Sequence, residues 1–209
     1  MIHSRPDRYH HVVWNVQILA FDEMEVLDYA GPYEVFTVAG QLSSNNDYRV
    51  ASVGVTPQPV GRGGFTVLPD FRLDNAPAAD IIIVPGGRGT RGLTHDERLL
   101  TWLRERADAL LLTVCTGALV AAAAGLLHNR EATTHHDAFD ELAALSPTTT
   151  ILRGQRFVRC AERIYTSAGV SAGIDLALAV VESLSGPVLR DLVETEMEWL
   201  WPRQPDTAN

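Results

Sequence analysis

Apolar runs and amphipathic stretches alternate along this chain, and the alternation predicts its elements. Residues 12–21, 48–55, 65–68, 79–84 and 109–114 read as strands. Ile81, Ile82, Ile83 and Val84 form an unbroken apolar run, the pattern of a strand covered on both faces. One helix opens at Gly31-Pro32 and runs to about residue 39, with Pro32 suited to a first-turn position. Thr94 and Glu97 have the spacing of a capping box, and Leu99, Leu100, Leu103 and Ala107 then mark one helix face. Residues 116–125 and 136–145 give two more helices. Residues 149–152, 156–159 and 163–167 read as strands, two of them a hairpin around Cys160-Ala161-Glu162. Residues 172–184 form a buried helix that stops at Gly186-Pro187, and residues 187–201 form a last, amphipathic one.

Strands alternating with helices imply an α/β fold, with a mostly parallel sheet and helices on both faces. Sites in such sheets form beyond the carboxyl ends of the strands. Three segments fall there: the loop after Phe21, the loop at Gly86-Gly87 and the turn at Cys115.

Composition narrows the class. The chain has 209 residues, 46% hydrophobic and 21% charged, which suits one soluble domain over residues 12–201. Residues 1–11 read as a flexible extension and 202–209 as a tail. The net charge of -9 argues against a general nucleic-acid partner. No apolar stretch is long enough to span a bilayer and the N-terminus lacks a signal-peptide core, so a cytoplasmic protein with no membrane partner is expected. Two cysteines make no disulfide framework. The adjacent pairs His10-His11 and His135-His136 do not share a helix or strand face, so no metal site is expected.

Cys115 stands between a buried strand and a buried helix, which makes it a nucleophile elbow. The free N–H groups and positive end of the helix favour its thiolate, whereas a cysteine among Leu, Val and Ala also suits a plain core role. Asp28 reads either as an acid/base group with a raised pKa or as a helix-terminal acid. Gly86 and Gly87 can present bare N–H groups to a developing anion, or simply make a tight turn. Thr116 has a hydroxyl for the sulfur or for substrate, and His135 is a candidate base. Val170 and Tyr29 are candidate pocket residues. Glu34 and the acids Glu194, Glu196 and Glu198 suit solvated helix faces, and Cys160 has no elbow context.

Five segments together carry a resemblance. Leu27-Asp28-x-x-Gly31-Pro32-x-Glu34-Val35, Val84-Pro85-Gly86-Gly87, Val114-Cys115-Thr116-Gly117, Ala132-Thr133-Thr134-His135 and Ser171-Ala172-Gly173-Ile174-Asp175 occur here in order. In that order and spacing the chain resembles the ThiJ/PfpI superfamily, over residues 12–193. The resemblance implies a flavodoxin-like three-layer sandwich. Asp at 28, Cys-Thr-Gly at 115–117 and the run 169–173 are most similar to the isocyanide hydratase branch. That branch implies a homodimer without metal or organic cofactor that adds water to an isonitrile to give an N-formamide. Carried over, Cys115 attacks the isonitrile carbon to give a thioimidate, Asp28 moves protons, and Thr116 and the Gly87 N–H position the intermediate. Thr116 in place of His disfavours the superfamily's protease branch. A ligand or redox sensor related to the N-terminal domain of AraC-type regulators stands as the alternative, beside glyoxalase, deglycase or amidase activities. The amphipathic last helix, with Trp199 and Trp201, is the expected dimer surface.

Overall fold

The computed structural model describes residues 13–199. The extension expected at residues 1–11, the tail at 202–209 and the end of the last helix, with Leu200 and Trp201, lie outside the described residues.

In chain order the elements are β1 (Trp14–Ala20), α1 (Val26–Leu42), β2 (Tyr48–Gly54), β3 (Phe71–Arg72), β4 (Ile81–Val84), α2 (Thr90–Leu93), α3 (Glu97–Arg104), β5 (Leu110–Thr113) and α4 (Gly117–Ala123). There follow β6 (Glu131–Ala132), α5 (Phe139–Leu145), β7 (Thr150–Ile151), β8 (Phe157–Ala161), β9 (Ile164–Ser167), α6 (Ala172–Ser185) and α7 (Pro187–Glu196). Seven strands form one sheet in the order β3-β2-β1-β4-β5-β9-β8, and β6 pairs with β7 apart from it. Every neighbour in the main sheet is parallel except the β8–β9 hairpin. All four residues of β4 are buried, as its unbroken apolar run requires. Helices α1, α6 and α7 pack together as one layer, while α2, α3 and α5 gather around α4 as the other. The architecture is a flavodoxin-like α/β sandwich.

Four details differ from the sequence reading. Helix α1 starts at Val26, so Pro32 lies inside it and removes the N–H that would bond the Asp28 carbonyl. The cap of α3 is Asp96, whose carboxylate accepts from the N–H groups of Arg98 and Leu99; Thr94 instead bonds the Arg91 carbonyl. Residues 65–68 make only a bridge between Val60 and Thr66, and the edge strand is β3. The apolar face of α7 is partly spent within the chain: Leu189 and Val193 are buried, and the helix packs on α6 and α1.

Candidate active site

The strand order turns back at β1, which lies between β2 and β4. Ligand crevices form at such switch points, beyond the carboxyl ends of the strands. The three loops flagged in the sequence meet here. The Glu25 N–H donates to the Gly86 carbonyl at 2.8 Å, which ties the loop after β1 to the loop after β4. The turn after β5 carries Cys115 into the same place. A cavity of about 440 Å³ opens over it, lined by Cys115, Thr116, Gly87, His135 and Val170 and rimmed by Glu23, Glu25, Arg62, Arg88, Arg91 and Asp137.

Backbone strain gathers around this cavity. Glu23, Cys115 and Val170 have φ of 59°, 55° and 52°, in the left-handed region. That conformation is costly for any residue with a Cβ and most costly for a β-branched one. All three line the cavity. Among the described residues, two of the other three positive-φ residues outside glycine are asparagines, which tolerate it. Strain of this kind persists only where the surroundings over-determine it. At Cys115 they do. Its N–H donates to the Ser167 carbonyl at 3.1 Å, and its own carbonyl accepts from Thr134 Oγ1 at 2.7 Å. Gly117 completes the turn, donating to the Val114 carbonyl at 2.8 Å. A Cβ there would stand 2.1 Å from the Val84 oxygen, so only glycine lets α4 start so close to β4.

Asp28 sits in the first turn of α1 and is 0% exposed. Its Oδ2 accepts from the Gly86 N–H at 3.0 Å. The Cys115 thiol and the Val170 N–H approach the same carboxyl. Neither reaches Oδ1 with full hydrogen-bond geometry, and that oxygen is buried without a partner among the described residues. Burial pushes the carboxyl up from its ordinary 3.8 to about 7, against the hydrogen bonds from Cys115, Gly86 and Val170. The thiol moves the same way. Burial, and then the charge of Asp28, push Cys115 up to about 12, outweighing the Thr116 N–H that favours the thiolate. This corrects the expectation of a resting thiolate. The N-terminus of a seven-residue helix does not offset burial beside a carboxylate. Thiol and acid form a pair in which ionising one opposes ionising the other.

The glycine loop differs from expectation too. The Gly86 N–H is taken by Asp28, and the Gly87 N–H donates to Thr116 Oγ1 at 2.9 Å. Neither is bare. The Thr116 hydroxyl donates back to the Gly87 carbonyl at 3.1 Å, so this threonine clamps the loop. Gly86 itself is needed for contact: a Cβ would lie 2.6 Å from Asp28 Oδ2 and 2.7 Å from Cys115 Cβ. It is the missing side chain here, and not a free N–H, that lets acid and thiol meet.

The remaining candidates separate. Val170 is at the cavity, held by its own strained turn. Tyr29 is not. It follows Asp28 by one helical position and so points away, stacking on Tyr33 at 5.7 Å and packing near Phe65. Glu34 is exposed on α1 outside the cavity lining. His135 lines the cavity, but its Nδ1 accepts from the Asp137 N–H at 3.3 Å, and burial lowers its pKa. Cys160 lies on β8, 3.4 Å from Thr166 Oγ1. His135 and His136 do converge, contrary to the argument from adjacency, because they open a 3-10 turn and not a helix or strand. Their rings lie 4.1 Å apart, and with Asp137 they bring one ligand-type atom each within 4.8 Å of one another. His136 and Asp137 are exposed and pair at 3.1 Å. The rim charges and the strained Glu23 were missed in the sequence. Glu23 sits in a flagged loop, but only its backbone angle singles it out.

Residues 15–183 match the model of the DJ-1/PfpI family. The chain belongs to this family. It is 34% identical to an isonitrile hydratase of Pseudomonas putida over 190 residues, which is 88% of this chain and 78% of that enzyme. It is 28% identical to the HTH-type transcriptional regulator GbdR of Pseudomonas aeruginosa over 169 residues. That match takes in 80% of this chain and 46% of the regulator, so the chain spans about half the regulator's length. Among solved structures, a ThiJ/PfpI family protein from Pseudomonas syringae superposes with a TM-score of 0.80 at 26% identity, over 100% of this chain and 86% of that one. DJ-1/PfpI membership agrees with the motif order read from the sequence. The elbow, the Gly86-Gly87 loop and the Asp28 turn all fall within the matched residues.

Proposed function

We propose that this protein hydrates an isonitrile to an N-formamide through a covalent bond to Cys115. The observation that carries the reading is the buried Asp28–Cys115 pair at the elbow, with one carboxyl oxygen unpartnered. The similarity to the Pseudomonas putida isonitrile hydratase gives the pair its substrate class.

The terminal carbon of an isonitrile must gain a nucleophile and a proton at one atom. A thiol that keeps its proton until it reacts, beside a carboxyl that titrates near neutrality, suits that demand. Sγ attacks the carbon while its proton passes through Asp28 to the same carbon, giving the thioimidate R–N=CH–S. Water then adds to that carbon. Asp28 takes a proton from the water and delivers it to nitrogen, leaving R–NH–CH(OH)–S. The C–S bond breaks as the hydroxyl proton returns to sulfur. The products are the formamide R–NH–CHO and the free thiol, so each turnover consumes one water. The first addition develops no oxyanion. An amidase needs paired N–H donors for one, and both glycine N–H groups here are engaged.

A second reading rests on the likeness to regulator GbdR: the domain senses a ligand or oxidant at Cys115 and turns nothing over. Incubation with an aryl isonitrile, followed by ultraviolet absorbance and formamide analysis, separates the two. Cysteine-dependent formamide, lost in Cys115→Ala, supports hydration. Isonitrile loss that persists in Cys115→Ala removes the mechanism. No turnover, with Cys115 still oxidised by peroxide, favours the sensor. A homodimer and a small-molecule substrate go with the enzyme reading, and light scattering at micromolar concentration tests the dimer.

A further inference from the structure

A second cavity lies at the other end of β5, among the amino ends of the strands and remote from Cys115. It holds about 260 Å³. Leu103, Leu111 and Leu126 give it apolar walls, and Arg106, Arg130 and Arg163 also line it. Among the described residues, the one carboxylate in the lining is Glu162, which is exposed. A local excess of cations is unexpected in a chain of net charge -9.

The arginines are incompletely satisfied. Arg163 Nη1 donates to the Asp108 carbonyl. Arg106 lies over the Trp102 ring at 4.0 Å, and its Nη1 donates to the Trp102 carbonyl at 3.3 Å, yet its Nε is buried with no acceptor. Arg130 Nη1 is likewise buried, and neither nitrogen has an acceptor among the described residues. Buried polar groups are nearly always paired, so two orphaned guanidinium nitrogens at one cavity call for an acceptor. A guanidinium suits an oxyanion, and three guanidinium side chains line this one cavity. The walls ask for an apolar body behind the charge.

We propose that this cavity binds a small carboxylate with an aromatic or short aliphatic body, independently of the chemistry at Cys115. A dianion such as phosphate suits it less, because much of the lining is apolar.

The test is calorimetric titration of the intact protein with benzoate, hexanoate, benzamide and inorganic phosphate, with methyl resonances followed by NMR. The expected result is saturable binding of one benzoate or hexanoate per chain, shifting the Leu126 and Ile164 methyls. Affinity should fall at least about tenfold in Arg130→Met and in Arg106→Met. Arg130→Gln, which keeps side-chain N–H donors, should retain part of it, and Cys115→Ala all of it. Benzamide should not bind. The proposal fails if no carboxylate saturates at millimolar concentration, if phosphate or benzamide binds equally well, or if binding disappears in Cys115→Ala. It also fails if folded arginine variants bind unchanged. Shifts confined to residues around Cys115 would overturn it even if an arginine variant does not fold.

Discussion

Asp28→Asn should gain stability relative to the native protein as pH rises, and be far less active. A carboxyl that titrates near 7 in the fold and near 3.8 when unfolded costs about 4 kcal/mol to ionise in place. Below pH 3.8 both states are protonated and the group is neutral to stability. Between 3.8 and 7 the native state holds a proton that the unfolded chain has released, so native stability falls as pH rises. Between pH 5 and pH 8 that loss integrates to about 2–3 kcal/mol. Asparagine has no charge to bury and escapes it. Its carbonyl can keep the Gly86 N–H, but its NH₂ replaces Oδ1, which has no partner. That orphan costs about 1–3 kcal/mol at every pH.

The observable is therefore the pH dependence of the difference between the two proteins, not its value at one pH. Guanidinium melts of native protein and Asp28→Asn at pH 5 and pH 8 measure it. The variant should gain about 2–3 kcal/mol on the native protein between the two. His135 and every other titrating group is common to both proteins and cancels to first order. In the same samples, isonitrile turnover should fall about 10²- to 10⁴-fold in the variant, the range for removing a proton-transfer group. A difference in stability that stays flat from pH 5 to pH 8 would mean that Asp28 titrates as an ordinary carboxyl. The account of the pair given above would then be wrong.

Alkylation of Cys115 by iodoacetamide, followed by peptide mapping, should keep accelerating past pH 9, because burial and Asp28 hold the thiol up; a plateau near pH 6 would contradict this. Asp28→Asn should speed that alkylation while it slows turnover, since the neighbouring negative charge is gone. Gly117→Ala forces a Cβ to 2.1 Å from the Val84 oxygen and should cost about 2–3 kcal/mol, read as a lowered thermal midpoint. Asp175→Ala removes a buried carboxylate that accepts from Arg156 Nε at 2.6 Å and Trp199 Nε1 at 3.1 Å. Arg156 is half exposed, so the loss should be about 2 kcal/mol, below the usual range for breaking a buried pair. Arg156 also contacts Ser171 beside the strained Val170, so turnover should fall with it.

Much of the fold was legible in the chain because hydrophobic periodicity is a local property. The apolar run at Ile81–Val84 reads as a strand covered on both faces, and the Leu110–Thr113 run reads as a strand that ends at the Cys115 turn. The order of motifs carried the family. Boundaries were less legible. Pro32 suggested a helix start, but α1 begins a turn and a half earlier at Val26, with Asp28 and Tyr29 buried in that stretch. Asp96 outcompeted Thr94 as a cap because its carboxylate reaches two N–H groups at once.

Sequence by itself determined which side chains follow the carboxyl ends of β1, β4 and β5, since strand and turn positions are set by local pattern. Only the tertiary structure decided which protonation state and which hydrogen-bond partners those side chains take. The Cys115 thiol became a weak acid, not a thiolate, because burial and Asp28 act across 87 residues of chain, a distance that no local pattern spans. The Gly86 and Gly87 N–H groups became fasteners and not an anion hole because Asp28 and Thr116 reached them first. Tyr29 left the cavity because one helical step turns a side chain by about 100°. Identity and spacing are written in the chain, whereas protonation state and hydrogen-bond availability depend on which distant groups share the same dry space.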